Sequence, residues 1–214
     1  MKKDTLFWDV DTQFDFMRPE GKLYVPGAEQ IINKVSEVRK FALENGFSMI
    51  ADIDWHSRDN DEISDEPDFK QTFPAHCMAG DAGGERVGYL GQLPIDYVPI
   101  EQIDAKALAK LINRGQFHVV IKKKTVDVFE NPNTDRLVDL IKPRAVAAFG
   151  VALDFCVYYV LRGLAKHREI KLVLLKDVVK GLGTRPENEI FDELGQVGVE
   201  ITDFSDLKRR LSCG

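Results

Sequence analysis

Apolar and polar residues alternate along the chain in blocks that predict strands and helices in turn. Short, mostly apolar runs predict buried strands at residues 5–10, 47–53, 117–121, 145–149, 171–175 and 199–201. Apolar residues three or four apart predict helices from residue 31 to the Asn45-Gly46 pair, at 105–113, 133–141, 154–167 and 187–196, and in the tail. Strands that alternate with helices indicate an α/β sandwich around a central, mainly parallel sheet.

A long polar segment, residues 54–97, interrupts this alternation. It is rich in Asp and Gly and shows no hydrophobic period. A loop of this length within a domain is usually functional. In parallel sheets the ligand site lies beyond the carboxyl ends of the strands, so the residues that follow each predicted strand are candidates. No internal repeat or linker divides the chain, and we expect one domain, 1–214.

Composition narrows the classes of function. The 214 residues carry 29 Lys+Arg and 35 Asp+Glu, a net charge of −6, which argues against a nucleic-acid surface. No apolar run has the roughly 18–20 residues that span a bilayer, and the first residues lack a signal-peptide pattern. The three cysteines, Cys77, Cys156 and Cys213, indicate no disulfide framework. We therefore expect a cytoplasmic protein without a nucleic-acid or membrane partner.

Cys156 lies where a predicted strand turns into a helix, in residues 145–157. With Asp154 as the N-cap, Cys156 would fall in the first helical turn, where the helix dipole and free N–H groups favour an anion. A cysteine in that position can have a lowered pKa and act as a nucleophile, and the same N–H groups can bind an oxyanion. The alternative is a buried structural cysteine.

Carboxylates follow the first strand, in the order Asp9, Asp11 and Asp15, with Gln13 among them. Strand alternation puts Asp9 and Asp11 on one face if the strand continues that far. A partly buried carboxylate near a thiol can accept its proton and pass it to a leaving amine. The alternative is that these residues are helix caps or turn formers.

Asp54 and His56 follow the second strand, and His76 comes twenty residues later. Two histidines and a carboxylate are ligands suited to a catalytic Zn, Fe or Mn ion, and Glu62 can add a fourth. The alternative for each histidine is an ordinary surface or core residue.

A run of three lysines, Lys122, Lys123 and Lys124, ends another strand. One ammonium at that position can stabilise a thiolate by charge, whereas most such lysines are solvated. Alternation separates Lys123 from its two neighbours.

Together these segments resemble the isochorismatase-like cysteine hydrolases, and most closely their nicotinamidase branch. Residues 10–16, V-D-T-Q-F-D-F, are similar to the family pattern V-D-x-Q-x-D-F, and residues 150–157, G-V-A-L-D-F-C-V, to G-V-A-x-D-x-C-V. The resemblance implies a three-layer sandwich with helices on both faces of the sheet. It also implies Asp11 as proton acceptor, Cys156 as nucleophile and a cis Val151–Ala152 peptide, with the oxyanion on the Ala152 and Cys156 N–H groups.

The resemblance assigns further roles by position. The family lysine lies six residues before a phenylalanine, which selects Lys123 by counting back from Phe129. The positions of the metal ligands in the nicotinamidase branch correspond to Asp54, His56 and His76, with Glu62 as an additional ligand. The aromatic walls that enclose a pyridine ring correspond to Phe16 and Phe73. Two departures concern the pocket: Leu153 replaces the usual Thr, and Val126-Asp127-Val128 replaces Tyr-Ser-Ala.

The hypothesis is a cysteine-dependent amidohydrolase that converts a small carboxamide, nicotinamide first, to a carboxylate and ammonia through a thioester. Its cofactor would be a divalent metal, zinc before iron or manganese, and we also expect a homo-oligomer. One alternative is a metal-free relative that hydrolyses a vinyl ether or an N-carbamoyl group. Another is a non-catalytic binding protein on the same fold. The sequence leaves open the natural substrate, the metal, the oligomeric state, and whether Lys122 or Lys124 replaces Lys123.

Overall fold

The computed structural model describes residues 4–212, so Cys213 lies outside the described residues. Its strands are β1 (Thr5–Val10), β2 (Ser48–Asp54), β3 (Ile95–Val98), β4 (His118–Lys123), β5 (Ala145–Val151), β6 (Lys171–Lys180) and β7 (Val199–Thr202). They form a single seven-stranded sheet in the order β3-β4-β2-β1-β5-β6-β7, and every neighbouring pair is parallel. The α/β class is confirmed, and the sheet is entirely rather than mainly parallel.

Seven helices cover the sheet: α1 (Phe14–Met17), α2 (Ile32–Glu44), α3 (Ala105–Ile112), α4 (Thr134–Ile141), α5 (Cys156–Leu164), α6 (Glu187–Gln196) and α7 (Phe204–Ser212). One face of the sheet, with Trp8, packs against α3, α4, α5 and α6. The other face, with Phe7, packs against α1, α2 and α7. The expected three-layer sandwich is therefore confirmed. Within residues 4–212, none of these helices is long and apolar enough to cross a membrane.

Most predicted elements are present, and the differences have local causes. The polar segment 54–97 ends earlier than expected, because its last residues form the edge strand β3, in which only Val98 is fully buried. Strand β6 runs past Leu175 to Lys180 through a bulge opposite Ala148 and Gly150. The division of the chain into one domain stays a prediction.

The central strands β4, β2, β1 and β5 are neighbours, so their carboxyl ends meet at one edge of the sheet. In register, Asp54 on β2 lies beside Lys123 on β4, and Val10 on β1 lies beside Gly150 on β5. Gly150 has φ +124°, and a Cβ atom there would lie 2.1 Å from the Val10 carbonyl oxygen. Only glycine permits this approach, which brings the segment after β1 close to the segment after β5.

Candidate active site

Asp11, Lys123 and Cys156 converge at this edge of the sheet from three different strands. The Lys123 Nζ atom lies 2.9 Å from Asp11 Oδ2 and 3.6 Å from Cys156 Sγ. All three side chains are buried, with Cys156 5% exposed at the floor of a small cavity. A carboxylate, an ammonium and a thiol in mutual contact at a cavity floor can support nucleophilic catalysis.

Asp11 reaches this group because the chain leaves β1 after Val10. Asp11 has φ +45°, in the left-handed region that Asp tolerates better than most residues. Asp9 and Asp11 are expected to share a face only if the strand continues to Asp11, and β1 ends at Val10, so that condition is not met. Asp9 instead points away from the thiol, with its Oδ2 2.7 Å from Arg39 Nε and in contact with Arg86.

Burial controls the protonation of the thiol and its neighbouring carboxyl group. Burial raises the pKa of the Cys156 thiol well above its usual value, and the negative charge of Asp11 raises it further. Burial likewise raises the pKa of Asp11, although the Lys123 ammonium opposes this. The lowered thiol pKa expected from the helix dipole is therefore not found. The raised pKa of Cys156 favours the neutral thiol, and the raised pKa of Asp11 makes its carboxylate a stronger base than an exposed aspartate.

The turn into α5 places two backbone N–H groups near the thiol. The Val151–Ala152 peptide bond is cis, and Cys156 is the first residue of α5. Asp154 does not cap this helix, because Phe155 occupies the N-cap position and Asp154 accepts hydrogen bonds from the Leu182 and Thr184 N–H groups. Among residues 4–212, the N–H groups of Ala152 and Cys156 donate no backbone hydrogen bond.

Four potential metal ligands form a buried cluster next to the lysine. One donor atom from each of Asp54, His56, Glu62 and His76 lies within 4.8 Å of the other three. Donors in a tetrahedral shell about 2.1 Å from a zinc ion lie about 3.4 Å apart, so the four ligand atoms would have to approach one another by at most about 1.4 Å to complete such a shell. Two imidazoles and two carboxylates match the ligands that divalent zinc, iron and manganese accept.

The orientation of the two imidazoles also fits a metal. His76 Nδ1 lies 2.7 Å from the Pro74 carbonyl oxygen. A carbonyl only accepts, so Nδ1 donates to it, and Nε2 is the ring nitrogen that faces the cluster, 3.3 Å from Asp54 Oδ2. His56 is fully buried, and neither of its ring nitrogens has a hydrogen-bond partner among the described residues. Its Nε2 lies 3.4 Å from Asp54 Oδ2 without hydrogen-bond alignment. Unpaired buried nitrogens are costly unless another group, such as a metal ion, satisfies them.

A small, mostly apolar cavity covers the thiol. Its volume is about 20 Å³, which is room for roughly one water molecule. Phe16 and Phe73 form two of its walls, and each packs edge-on against His76. The remaining lining residues come from several loops and from the helix start: Leu23, Val25, Asp54, Glu62, His76, Val126, Ala152, Phe155, Cys156 and Leu182.

The structure separates the residues named from the sequence into two groups. Every proposed catalytic, metal-binding and wall residue lies in this one region of the protein. Leu153, in contrast, is fully buried in the core and does not line the cavity. Asp127 caps the short 3-10 turn Val128–Glu130 by accepting a hydrogen bond from the Phe129 N–H group. Of the departures from the family pattern, Val126 is therefore the one that faces the cavity.

The other two lysines of the run have different surroundings. The Lys122 ammonium lies 3.6 Å from the centre of the Trp55 ring, on the side of the sheet away from the thiol, and Lys124 is exposed. Sequence reasoning missed the apolar wall residues Leu23, Val25, Phe155 and Leu182. Three of these lie in irregular segments whose sequences carry no periodic signal that distinguishes a cavity wall from an ordinary buried loop residue.

Comparison with known proteins gives a consistent set of similarities. No protein-family model matches the chain. The chain is 24% identical to the nicotinamidase of Saccharomyces cerevisiae over 221 aligned residues, covering 91% of this chain and 97% of that protein. It is 23% identical to the nicotinamidase/pyrazinamidase of Mycobacterium tuberculosis, covering 90% of this chain and 95% of that protein.

Solved structures are similar over nearly the whole chain. The crystal structure of pyrazinamidase of Pyrococcus horikoshii in complex with zinc superimposes with a TM-score of 0.74 and 26% identity. The match covers 94% of this chain and 99% of that one. The similarity therefore includes the sheet, the flanking helices and the edge of the sheet at which the buried side chains meet.

Proposed function

Because its fold and its relatives indicate the isochorismatase-like cysteine hydrolase superfamily, we propose that this chain is an amidohydrolase for nicotinamide or a closely similar carboxamide. The observation that carries the proposal is the contact of the Lys123 ammonium with both Cys156 Sγ, at 3.6 Å, and Asp11 Oδ2, at 2.9 Å. This arrangement pairs a nucleophile with a base and a fixed positive charge.

In the proposed reaction, Asp11 accepts the thiol proton of Cys156 and the resulting thiolate attacks the amide carbon. Lys123 stabilises the negative charge on sulfur. The Ala152 and Cys156 N–H groups donate to the oxyanion of the tetrahedral intermediate. Protonated Asp11 then passes its proton to the departing amine, so that ammonia leaves and a thioester remains on Cys156.

Water completes the cycle. Asp11, again ionised, takes a proton from a water molecule that attacks the thioester carbon, and the carbon–sulfur bond breaks. The carboxylic acid is released and Asp11 returns its proton to the Cys156 sulfur, so the thiol is restored and one amide and one water give one acid and one ammonia. The two steps use the same base and the same oxyanion donors.

We further propose that Asp54, His56, His76 and Glu62 hold a divalent metal, with zinc as the first candidate and iron or manganese as alternatives. When bound, the metal supplies a Lewis-acidic centre that holds a ring nitrogen of the substrate or a water molecule. Phe16 and Phe73 then enclose the ring, and the carboxamide is directed toward Cys156. The buried cluster of four ligand side chains supports this proposal over the metal-free alternative.

The cavity also favours an uncharged substrate. Its walls are aromatic and aliphatic, and its ionisable side chains besides the thiol are those of Asp54, Glu62 and His76. No lysine or arginine lines it within the described part of the chain, and the nearby Lys123 is already paired with Asp11 and Asp54. The side chains thus provide no lysine or arginine for the carboxylate of a vinyl-ether acid or an N-carbamoyl amino acid, which favours a neutral carboxamide. Because the cavity holds about one water, its walls must separate to admit a ring.

An ammonia-release screen tests the proposed function. The purified protein is assayed with nicotinamide, pyrazinamide, ureido acids and aliphatic amides, with and without a chelator. We expect release from the two aromatic amides and a loss of rate with chelator. Release only from ureido acids, or no release from any carboxamide, would refute the assignment. The homo-oligomer expected from the sequence stays a prediction.

A further inference from the structure

Gln13 contacts the backbone of Asp54 at two points although it lies on a different segment. Its Oε1 accepts a hydrogen bond from the Asp54 N–H group at 2.8 Å, and its Nε2 donates to the Asp54 carbonyl at 2.9 Å. These two hydrogen bonds resemble those that a neighbouring β-strand would make, and they fix both the N–H group and the carbonyl group of Asp54. The position of the Asp54 carboxylate therefore depends on the Gln13 side chain.

The same Nε2 atom also donates to the Gly84 carbonyl at 2.9 Å. Gln13 is fully buried, so water does not compete for these three hydrogen bonds. Two backbone bonds join the same segments, from Phe14 N–H to Glu85 O and from Val87 N–H to Thr12 O. Gln13 thus fixes the end of β2 against the loop that follows the second histidine.

Asp15 makes a comparable contact on the other half of the ligand cluster. Its Oδ2 accepts a hydrogen bond from the Cys77 N–H group at 2.8 Å, directly after His76. The Cys77 carbonyl in turn accepts from the His56 N–H group at 3.2 Å. Asp15 therefore fixes Cys77, whose N–H group follows His76 and whose carbonyl binds the His56 N–H group, and Asp15 is itself almost fully buried.

We propose that Gln13 and Asp15 are positioning residues that hold the four metal ligands in a preformed arrangement. Neither side chain lines the cavity or belongs to the ligand cluster. Both act through backbone groups, Gln13 on Asp54 and Asp15 on the segment between His76 and His56. The segment that follows the catalytic Asp11 therefore also aligns the metal centre. This inference rests on the metal site of the proposed function.

Outer contacts of this kind change metal affinity more than they change the fold, and their loss typically costs 10–100-fold in affinity. A purely structural role predicts instead that loss of a similar pair of side-chain bonds elsewhere has the same effect on metal affinity. Gln116, which is half-buried, provides the comparison. Its Nε2 donates to the Leu43 and Phe47 carbonyls, both at 2.8 Å, at the amino end of β4 and therefore at the opposite edge of the sheet.

The experiment compares Gln13→Glu with Gln116→Glu in the full-length protein. Each substitution replaces an Nε2 donor that serves two carbonyls by an oxygen, and Gln13→Glu keeps the acceptor for the Asp54 N–H group. Metal-free protein is titrated with Co²⁺ against a chromophoric chelator, the visible d–d spectrum of the loaded protein is recorded, and thermal unfolding checks the fold.

We expect Gln13→Glu to weaken Co²⁺ binding by about 10–100-fold and to shift the d–d bands, whereas Gln116→Glu stays within about twofold of wild type. If Gln13→Glu does not fold, Asp15→Asn takes its place with the same expected loss. Wild-type affinity and spectrum in the folded variant, or an equal loss in Gln116→Glu, would overturn the inference.

The test of the positioning role and the test of the proposed function can fail independently of each other. If wild-type protein binds no Co²⁺ in the titration, the positioning role falls, even if the protein releases ammonia from nicotinamide. If Gln13→Glu loses Co²⁺ affinity but wild-type protein hydrolyses no carboxamide, the positioning role stands and the proposed function falls.

Discussion

Asp54 and Lys123 are partners in register on adjacent parallel strands, and the Lys123 ammonium contacts Asp54 Oδ1. The second oxygen, Oδ2, faces both imidazoles, at 3.4 Å from His56 and 3.3 Å from His76. One carboxylate therefore joins Lys123 to the cluster of proposed metal ligands. Burial would raise the pKa of Asp54, but Lys123 and the two imidazoles outweigh it and hold that pKa well below its usual value.

The lysine run allows a comparison of three neighbouring residues with different surroundings. Lys123→Met removes the charge that contacts Cys156, and we expect kcat/KM to fall by about 100-fold or more. Lys122→Met and Lys124→Met leave the thiol environment intact, and both should keep wild-type kcat/KM. Steady-state ammonia release measures the effect, with thermal unfolding as the check on folding, since Lys123→Met leaves Asp11 and Asp54 without their shared cation. A larger loss in either neighbour would contradict the role of Lys123.

Metal removal should reduce substrate binding. His56→Ala removes one imidazole of the cluster, so we expect less than stoichiometric metal by elemental analysis and a KM for nicotinamide raised about tenfold or more. His167→Ala is the control, because His167 lies at the end of α5 near Asp135 and Asp139, away from the thiol. Chelator treatment followed by added Zn²⁺ should remove and restore activity in wild type. Unchanged metal content in His56→Ala would refute the ligand assignment.

Phe73 should matter for substrate affinity, whereas its exposed neighbour should not. Phe73 lines the cavity and is 3% exposed, and Phe69 packs against it from outside and is 52% exposed. We expect Phe73→Ala to raise KM about tenfold, the loss of roughly 1.4 kcal/mol of aromatic contact. Phe69→Ala should leave KM unchanged. Steady-state ammonia release gives the KM of each variant, and an equal change of KM in both would contradict the assignment of Phe73 as a cavity wall.

The buried ion cluster at Asp9 predicts a pH dependence of stability. Burial alone would raise the pKa of Asp9, but Arg39 and Arg86 outweigh it and lower the pKa to about 2. A carboxyl group with a lowered folded-state pKa stabilises fully above its unfolded value near 4 and loses that contribution as the pH falls through 2. We expect about 2 kcal/mol from Asp9 at neutral pH to disappear in this window.

Asp9→Asn tests that expectation. The variant should be destabilised by about 3 kcal/mol at pH 7, since two buried guanidinium groups lose their shared carboxylate. Its free energy of unfolding should also fall less steeply than wild type between pH 4 and pH 2. Denaturant titrations at several pH values give both quantities. Parallel pH profiles for the two proteins would show that Asp9 does not contribute in this way.

The central strands could be predicted from sequence because both faces of each strand are buried. Parallel strands covered on both sides appear as continuous apolar runs, as at β1 and β5. The edge strand β3 could not be predicted, because a single buried residue, Val98, does not produce the apolar run or alternation that indicates a strand. The bulge in β6 also escaped prediction, since Lys176 and Asp177 interrupt its apolar run.

The composition of the site could be predicted from motifs, but its electrostatics could not. The resemblance to the family pattern grouped Asp11, Lys123 and Cys156, and the assignment of their roles stays a proposal. The raised thiol pKa depends on how deeply Cys156 is buried, and side chains from distant segments, such as Leu23 and Phe73, line the cavity with it. The positive φ at Asp11 likewise has no signal in the local sequence.

The most direct test of the proposed mechanism is detection of the covalent acyl intermediate on Cys156. Wild-type protein mixed with nicotinamide is quenched in acid within the first turnovers and analysed by intact mass and peptide mapping, alongside Cys156→Ala in the same ammonia assay. We expect an acyl adduct on the peptide containing Cys156, and a loss of ammonia release of at least about 1,000-fold in a folded Cys156→Ala. Ammonia release near the wild-type rate by Cys156→Ala would contradict the central claim.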